Sequence, residues 1–170
     1  FPGRELVGTV YEQIFDYIPI DRQQYPNALT VLPAEFVSVE EGTGIVHIAP
    51  AFGVEDFELG QRYGLPLLQP VTPNGHFTAE LGEFAGRAIK TFRYHDRVEE
   101  GADRDIVAAL ERMGKLYRAT FDYLHTYPHC WRTGNPVMYY ARQSWFLRSP
   151  AYRERMIELN AQIRWQPPEI

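Results

Sequence analysis

The stretch "GTGIVHIAPAFGVEDFELGQRYG", residues 42 to 64, constrains the fold more than any other. A glycine turn leads into the apolar run Ile45 to Ile48, which has the β-branched composition of a strand. Pro50 withholds a backbone donor and Gly53 relaxes the chain, so the strand stops there. A helix is then predicted from about Val54 to Tyr63, with Glu55 and Asp56 in its first turn and Gly64 as its stop. Strand, sharp break and short helix thus bring two polar groups to one end of the unit. His47 sits near the strand end, and Asp56 follows nine positions later on the first helical turn.

Each of these residues has two readings. His47 is either a half-buried histidine satisfied by its neighbours or one wall of a small pocket beside the Pro-Ala-Phe-Gly loop. Asp56 either serves the helix, whose positive end favours a carboxylate, or points back to the strand end and holds a cation such as an amino group. The local pattern leaves both pairs open.

Elsewhere, "TVYEQIFDYI", "ALTVL" and "EFVSV" read as short strands between Pro- and Asn-containing turns, and "LPLLQPV" as a buried strand before the turn "TPNG". An amphipathic helix is predicted over about Asp103 to Lys115. Asp103 is its cap, Ile106, Val107, Leu110 and Met113 form its apolar stripe, and Gly114 ends it. "KLYRATFDYLHTYPHCWR" reads as extended aromatic chain that "TGNP" turns into "VMYYA". Ser149 and Pro150 open a last helix, along which Tyr152, Met156, Leu159 and Ile163 recur at helical spacing. The expected class is α+β, with strands dominating, short helices between them and a trailing helix.

Composition narrows function by exclusion. The 170 residues carry 45% hydrophobic and 14% aromatic residues, which is the content of a folded globule. A net charge of -5 opposes broad attraction to nucleic-acid phosphates, although a local basic face remains open. Arg132, Arg142, Arg148, Arg153 and Arg155 thicken positive charge toward the C-terminal end, as either a solvated face or a phosphate contact. No apolar run approaches the roughly 18 residues of a membrane helix, so no membrane partner is expected. Cys130 is the single cysteine and cannot form an internal disulfide, which fits a reducing cytoplasm. His125, His129 and Cys130 cluster, but the spacing lacks the second cysteine of a closed zinc site, and no metal is expected. Neither a P-loop, a dinucleotide-binding glycine fingerprint nor a serine nucleophile elbow is present.

Taken as whole strings, "GTGIVHIAPAFGVEDFELGQRYGLPLLQPV", "YLHTYPHCWRTGNPVMYYARQSWFL" and "RERMIELNAQIRWQPPEI" resemble, in order, the later part of the editing insertion of the isoleucyl-tRNA synthetase family and its return toward the catalytic core. The sister enzymes for valine and leucine share the glycine turn and the aspartate but typically lack the wording "VHIAPAFG" and "YPHCWR". The resemblance implies a mixed, β-barrel-like sheet of the editing (CP1) type across residues 1 to 145 and a connector helix across 146 to 170. It also implies site roles. The residue matching Asp56 binds the α-ammonium of a wrongly attached amino acid, and the one matching His47 lines the pocket and excludes isoleucine. The implied partners are the tRNA 3′ end carrying mischarged valine and the rest of the synthetase chain. ATP and magnesium serve the parent enzyme, with no cofactor expected in this segment. The family's threonine-rich segment lies upstream, and "FPGRELVG" matches the region after it. The chain is therefore expected to be an interior piece, inactive by itself. The rival readings are the editing domain of the valine enzyme and a non-catalytic tRNA-binding module in which His47 and Asp56 are merely structural.

Overall fold

The computed structural model describes residues 2–40, 42–121 and 124–166. Glu41 of the expected glycine turn, residues 122–123 of the aromatic stretch, Phe1 and the last four positions of the C-terminal segment lie outside the described residues. The architecture is an α+β mix. Helix α1 spans Val54–Tyr63, strands β1 (Phe92–Tyr94) and β2 (Arg97–Glu99) follow, then helix α2 (Asp103–Arg112) and helix α3 (Arg153–Asn160). Among the described residues, 3-10 segments accompany them at Gly3–Glu5, Ala79–Phe84 and Ser149–Tyr152.

The helices follow the local sequence closely. Helix α1 has the predicted bounds, and Gly64 takes the left-handed conformation (φ 63) that lets its N–H bond back to the Gly60 carbonyl. Helix α2 starts at Asp103 but is capped by Ala102, without a side-chain bond, and regular helix ends at Arg112 rather than Lys115. Its inner face is anchored by Ala102 and Ala109, which are buried. Ile106, Val107 and Leu110 are half-buried, and Met113 at the end of the stripe is exposed. Pro150 opens the last helical segment as a 3-10 turn that runs into α3.

The strands depart from expectation. Regular pairing among the described residues is confined to the antiparallel hairpin β1–β2, in the register Phe92 to Glu99, Arg93 to Val98 and Tyr94 to Arg97. That hairpin is not among the predicted strands. Several predicted strands meet only at single bridges, Val10 with Thr30 and Val71 with Phe77. Residues 45–48 form no ladder, and Ile45 and Val46 are exposed. A dominating, barrel-like sheet is therefore absent among the described residues. The physical reason is that β-branched composition marks a surface fit for pairing, whereas a strand exists only where a second backbone supplies the ladder.

The core is small and aromatic. Phe84, 3% exposed, receives Phe15 and Tyr17 edge-on at 5.7 and 5.8 Å between ring centroids, and Phe77 at 6.3 Å. Edge-to-face pairs of this kind add about 0.5–1.5 kcal/mol each beyond their burial. The Tyr17 hydroxyl donates to Glu83 at 3.2 Å, tying the N-terminal segment to the 3-10 turn that carries Phe84. The α2 face is held by Arg87–Asp105 at 2.6 Å and Lys90–Asp103 at 3.6 Å. These exposed pairs are worth only about 0–1 kcal/mol each.

Candidate functional site

The candidate site is built on the loop between residue 47 and helix α1. Pro50 leaves the chain free to turn, and the Phe52 N–H closes the turn on the Ala49 carbonyl at 2.8 Å. Helix α1 begins after Gly53 with no side-chain cap. Its third residue, Asp56, turns back instead. Oδ2 of Asp56 accepts the Ala49 N–H at 3.0 Å, across seven positions. The carboxylate therefore lies at the positive end of the helix and ties it to the residue two past His47.

Close packing fixes the helix against this loop. A Cβ on Gly60 would stand 2.9 Å from Cβ of Pro50, a separation real side chains do not reach. Gly60 thus permits the approach that brings Asp56 to Ala49. On its far side the loop meets the C-terminal part of the chain. Ala51 is buried and its carbonyl accepts the Ala141 N–H at 3.0 Å, while Phe52 meets the Tyr140 ring edge-on at 6.3 Å. The Tyr140 hydroxyl donates to the Val71 carbonyl at 2.8 Å, and the Gln69 amide to the Ala141 carbonyl at 2.8 Å. Segments far apart in sequence thereby hold one loop in place.

Asp56 is half-buried and directed toward the strand-end loop, and His47 is exposed. Two clefts open elsewhere. One of about 310 Å³ is lined chiefly by Ile89, Phe92, Val137, Met138 and Tyr140. The other, about 360 Å³, includes Lys90, Arg93, His125, Tyr127 and His129. Neither of these two is lined by His47 or Asp56. Among the described residues no group of three or more His, Cys, Asp or Glu side chains is arranged to hold a metal ion. Nor is any helix among them long and apolar enough to cross a membrane.

The block "HTYPHCWRTGNP" is organised around a backbone turn. The Cys130 N–H donates to the Asn135 carbonyl and the Gly134 N–H to the Cys130 carbonyl, both at 2.8 Å. The His129 ring meets the Tyr127 carbonyl through Nδ1 at 2.9 Å. Beside the turn, the Thr133 hydroxyl bond holds the Cys130 thiol below its ordinary pKa, with the Thr133 and Arg132 backbone groups adding to the effect and partial burial opposing it. Of the arginines expected to thicken positive charge, Arg142 lines the apolar cleft, Arg132 lies over the Trp131 ring at 4.9 Å and Arg155 pairs with Glu158 at 3.0 Å. Lys90 and Arg93, at the cationic cleft, were not singled out by sequence. Lys90 precedes and Arg93 lies within a strand that the sequence reading did not mark.

Across its whole length the chain is similar to isoleucine–tRNA ligases. It is 40% identical over 170 residues to that of Corynebacterium diphtheriae, an alignment covering 99% of this chain and 15% of the relative. The Clostridium acetobutylicum enzyme is 38% identical over 170 residues, with 100% of this chain and 15% of the relative covered. The chain belongs to the isoleucine–tRNA ligase family. A third member, from Chlamydia abortus, is 37% identical over 171 residues, again covering 100% of the chain and 15% of the relative. The chain therefore spans about 15% of the length of these ligases. No family model matches it.

Proposed function

We propose that this chain is the later part of the editing insertion of an isoleucyl-tRNA synthetase, residues 1 to 145, followed by a connector helix from residue 146 toward the catalytic domain. The parent enzyme ligates isoleucine to its tRNA with ATP and magnesium, in the cytoplasm. This region, completed by the rest of the synthetase chain, hydrolyses tRNA mischarged with valine. The observation that carries the reading is the end-to-end similarity to isoleucine–tRNA ligases at 37–40% identity.

The chemistry explains why such a site is needed. One methylene separates isoleucine from valine, and a hydrophobic pocket converts it into only about 1–3 kcal/mol; this enzyme is itself the standard illustration of that limit. A second site that admits the smaller side chain multiplies the discrimination. It must fix the α-ammonium, orient the ester carbonyl and position a water, which attacks that carbonyl and releases valine and the ribose hydroxyl. Asp56 supplies the ammonium anchor in this reading. The Ala49 amide engages Oδ2 and so orients the carboxylate, and the other oxygen remains for a charge-assisted bond. His47, exposed two residues before Ala49, supplies the wall that excludes isoleucine.

Two substitutions in the full-length ligase test the anchor. Asp56→Asn keeps an oxygen for the Ala49 amide and removes the charge, whereas Asp56→Ala removes both. If Asp56 holds the ammonium, both variants lose deacylation of valyl-tRNA by more than about tenfold while isoleucine ligation persists. Wild-type deacylation by Asp56→Asn would leave the carboxylate a purely structural role.

A further inference from the structure

The Asp56 carboxylate takes its position from the loop that precedes its helix. Oδ2 accepts the Ala49 N–H at 3.0 Å, and a Cβ on Gly53 would stand 3.0 Å from both Cγ and Oδ2 of Asp56. The carboxylate is therefore folded over the bare Gly53 backbone, bonded to one end of the loop and packed on the other. A shift of residues 49–53 moves it.

Locally the loop closes through the Phe52 N–H on the Ala49 carbonyl, at 2.8 Å, which fixes its shape but not its place. Place comes from a distant segment. The Ala141 N–H donates to the Ala51 carbonyl at 3.0 Å, and the Tyr140 ring meets Phe52 edge-on at 6.3 Å between centroids. Both of these residues are anchored in turn. The Tyr140 hydroxyl donates at 2.8 Å to the carbonyl of Val71, which is buried, and the Gln69 amide donates at 2.8 Å to the Ala141 carbonyl. Residues 69 and 71 thus hold 140 and 141 in both directions, one giving a side-chain bond and the other receiving one. Burial along the segment alternates, with Met138 and Tyr140 half-buried and Val137 and Tyr139 exposed, so extended geometry turns Tyr140 inward to the loop.

We propose that Tyr140 is a positioning residue for the Asp56 carboxylate, acting through Phe52 and the loop of residues 49–53. The bond to Val71 fixes the ring, the ring sets Phe52, and the Phe52 amide sets Ala49, whose N–H holds Oδ2. Its effect on hydrolysis rests on the reading of Asp56 as the ammonium anchor; the mechanical link does not, and amide exchange reports that link without any reaction. A displaced anchor presents the ester in the wrong orientation, so kcat falls while KM, to which the rest of the tRNA contributes, changes little.

The test uses the full-length ligase. Tyr140→Leu removes the aromatic edge and the hydroxyl, whereas Tyr140→Phe keeps the ring and loses only the bond to Val71. With Tyr140→Leu, kcat for deacylation of valyl-tRNA should fall about tenfold, with KM within about twofold and isoleucine ligation intact; Tyr140→Phe should recover most of the loss. Amide exchange at Ala49 should accelerate in Tyr140→Leu while α2 keeps its protection. Adding Tyr140→Leu to Asp56→Asn should cost no further deacylation, because Tyr140 acts through the carboxylate. Should Tyr140→Leu impair ligation as well, Gln69→Leu, which frees only the Ala141 carbonyl, takes its place in the same comparison. Wild-type deacylation by Asp56→Asn would remove the anchor reading and leave exchange at Ala49 to decide the link. Wild-type protection of Ala49 in Tyr140→Leu, or losses that simply add in the double variant, would overturn the proposal.

Discussion

Asn135 holds Arg93 by both ends of its side-chain amide, accepting the Arg93 N–H at 2.7 Å and donating to the Arg93 carbonyl at 3.0 Å across 42 positions. The amide thereby acts as a one-residue strand alongside β1. Its own backbone is held in the turn by the Cys130 N–H, at 2.8 Å, so the aromatic C-terminal half is latched to the hairpin through one side chain.

Asn135→Ala removes both bonds and leaves the Arg93 groups to water. With each of the two exposed bonds worth about 0.5–1.5 kcal/mol, the loss should be about 1–3 kcal/mol in urea unfolding. Amide exchange at Arg93 should accelerate with it. Unchanged protection there would show that the latch is not what orders β1.

Gly60→Ala separates local propensity from tertiary packing. Alanine in a helix interior gains about 1 kcal/mol over glycine by propensity alone. The added Cβ would meet Pro50 at 2.9 Å, and a proline ring cannot swing aside. Net destabilisation of about 1–3 kcal/mol is expected, together with faster exchange of the Ala49 amide as α1 moves off the loop. A stabilised variant would mean that the contact relaxes at no cost.

Phe84→Ala should be the most damaging of these substitutions. The ring is 3% exposed and meets Phe15, Tyr17 and Phe77. Truncation costs about 3–5 kcal/mol, whereas Phe84→Leu keeps most of the volume and should cost less than half as much. Equal midpoints for the two variants in thermal unfolding would argue against an aromatic cluster as the centre of the fold.

Cys130 offers a pH-dependent readout. The Thr133 hydroxyl bond, the largest cause, favours the thiolate and holds the pKa down. Removing that bond must therefore move the pKa up. Thr133→Val should shift the pH profile of iodoacetamide alkylation toward higher pH, and Thr133→Ser, which keeps the hydroxyl, should leave it close to wild type. A shift of the Val variant toward lower pH would contradict the assigned cause.

The sequence by itself determined where the three α-helices lie and most of their ends, although α2 stops at Arg112, short of the expected Lys115. Val54–Tyr63 with its Gly64 stop, the start of α2 at Asp103 and the proline-opened segment before α3 were all legible, because helix hydrogen bonds and caps close within a few residues. Asp56 was also legible as a residue at the first helical turn, but not which of its two readings applied; the structure adds its bond to Ala49, across seven positions. Only the tertiary structure decided the rest. Residues 45–48 carry strand composition without a ladder partner among the described residues, while Phe92–Tyr94 pairs with Arg97–Glu99 without having been marked as a strand. The approach of α1 to Pro50 through Gly60, the Asn135 latch on Arg93 and the bond of Ala141 to Ala51 all join residues that no local pattern couples. Pairing and close approach depend on which distant backbone arrives, and that is a property of the packed chain rather than of any stretch within it.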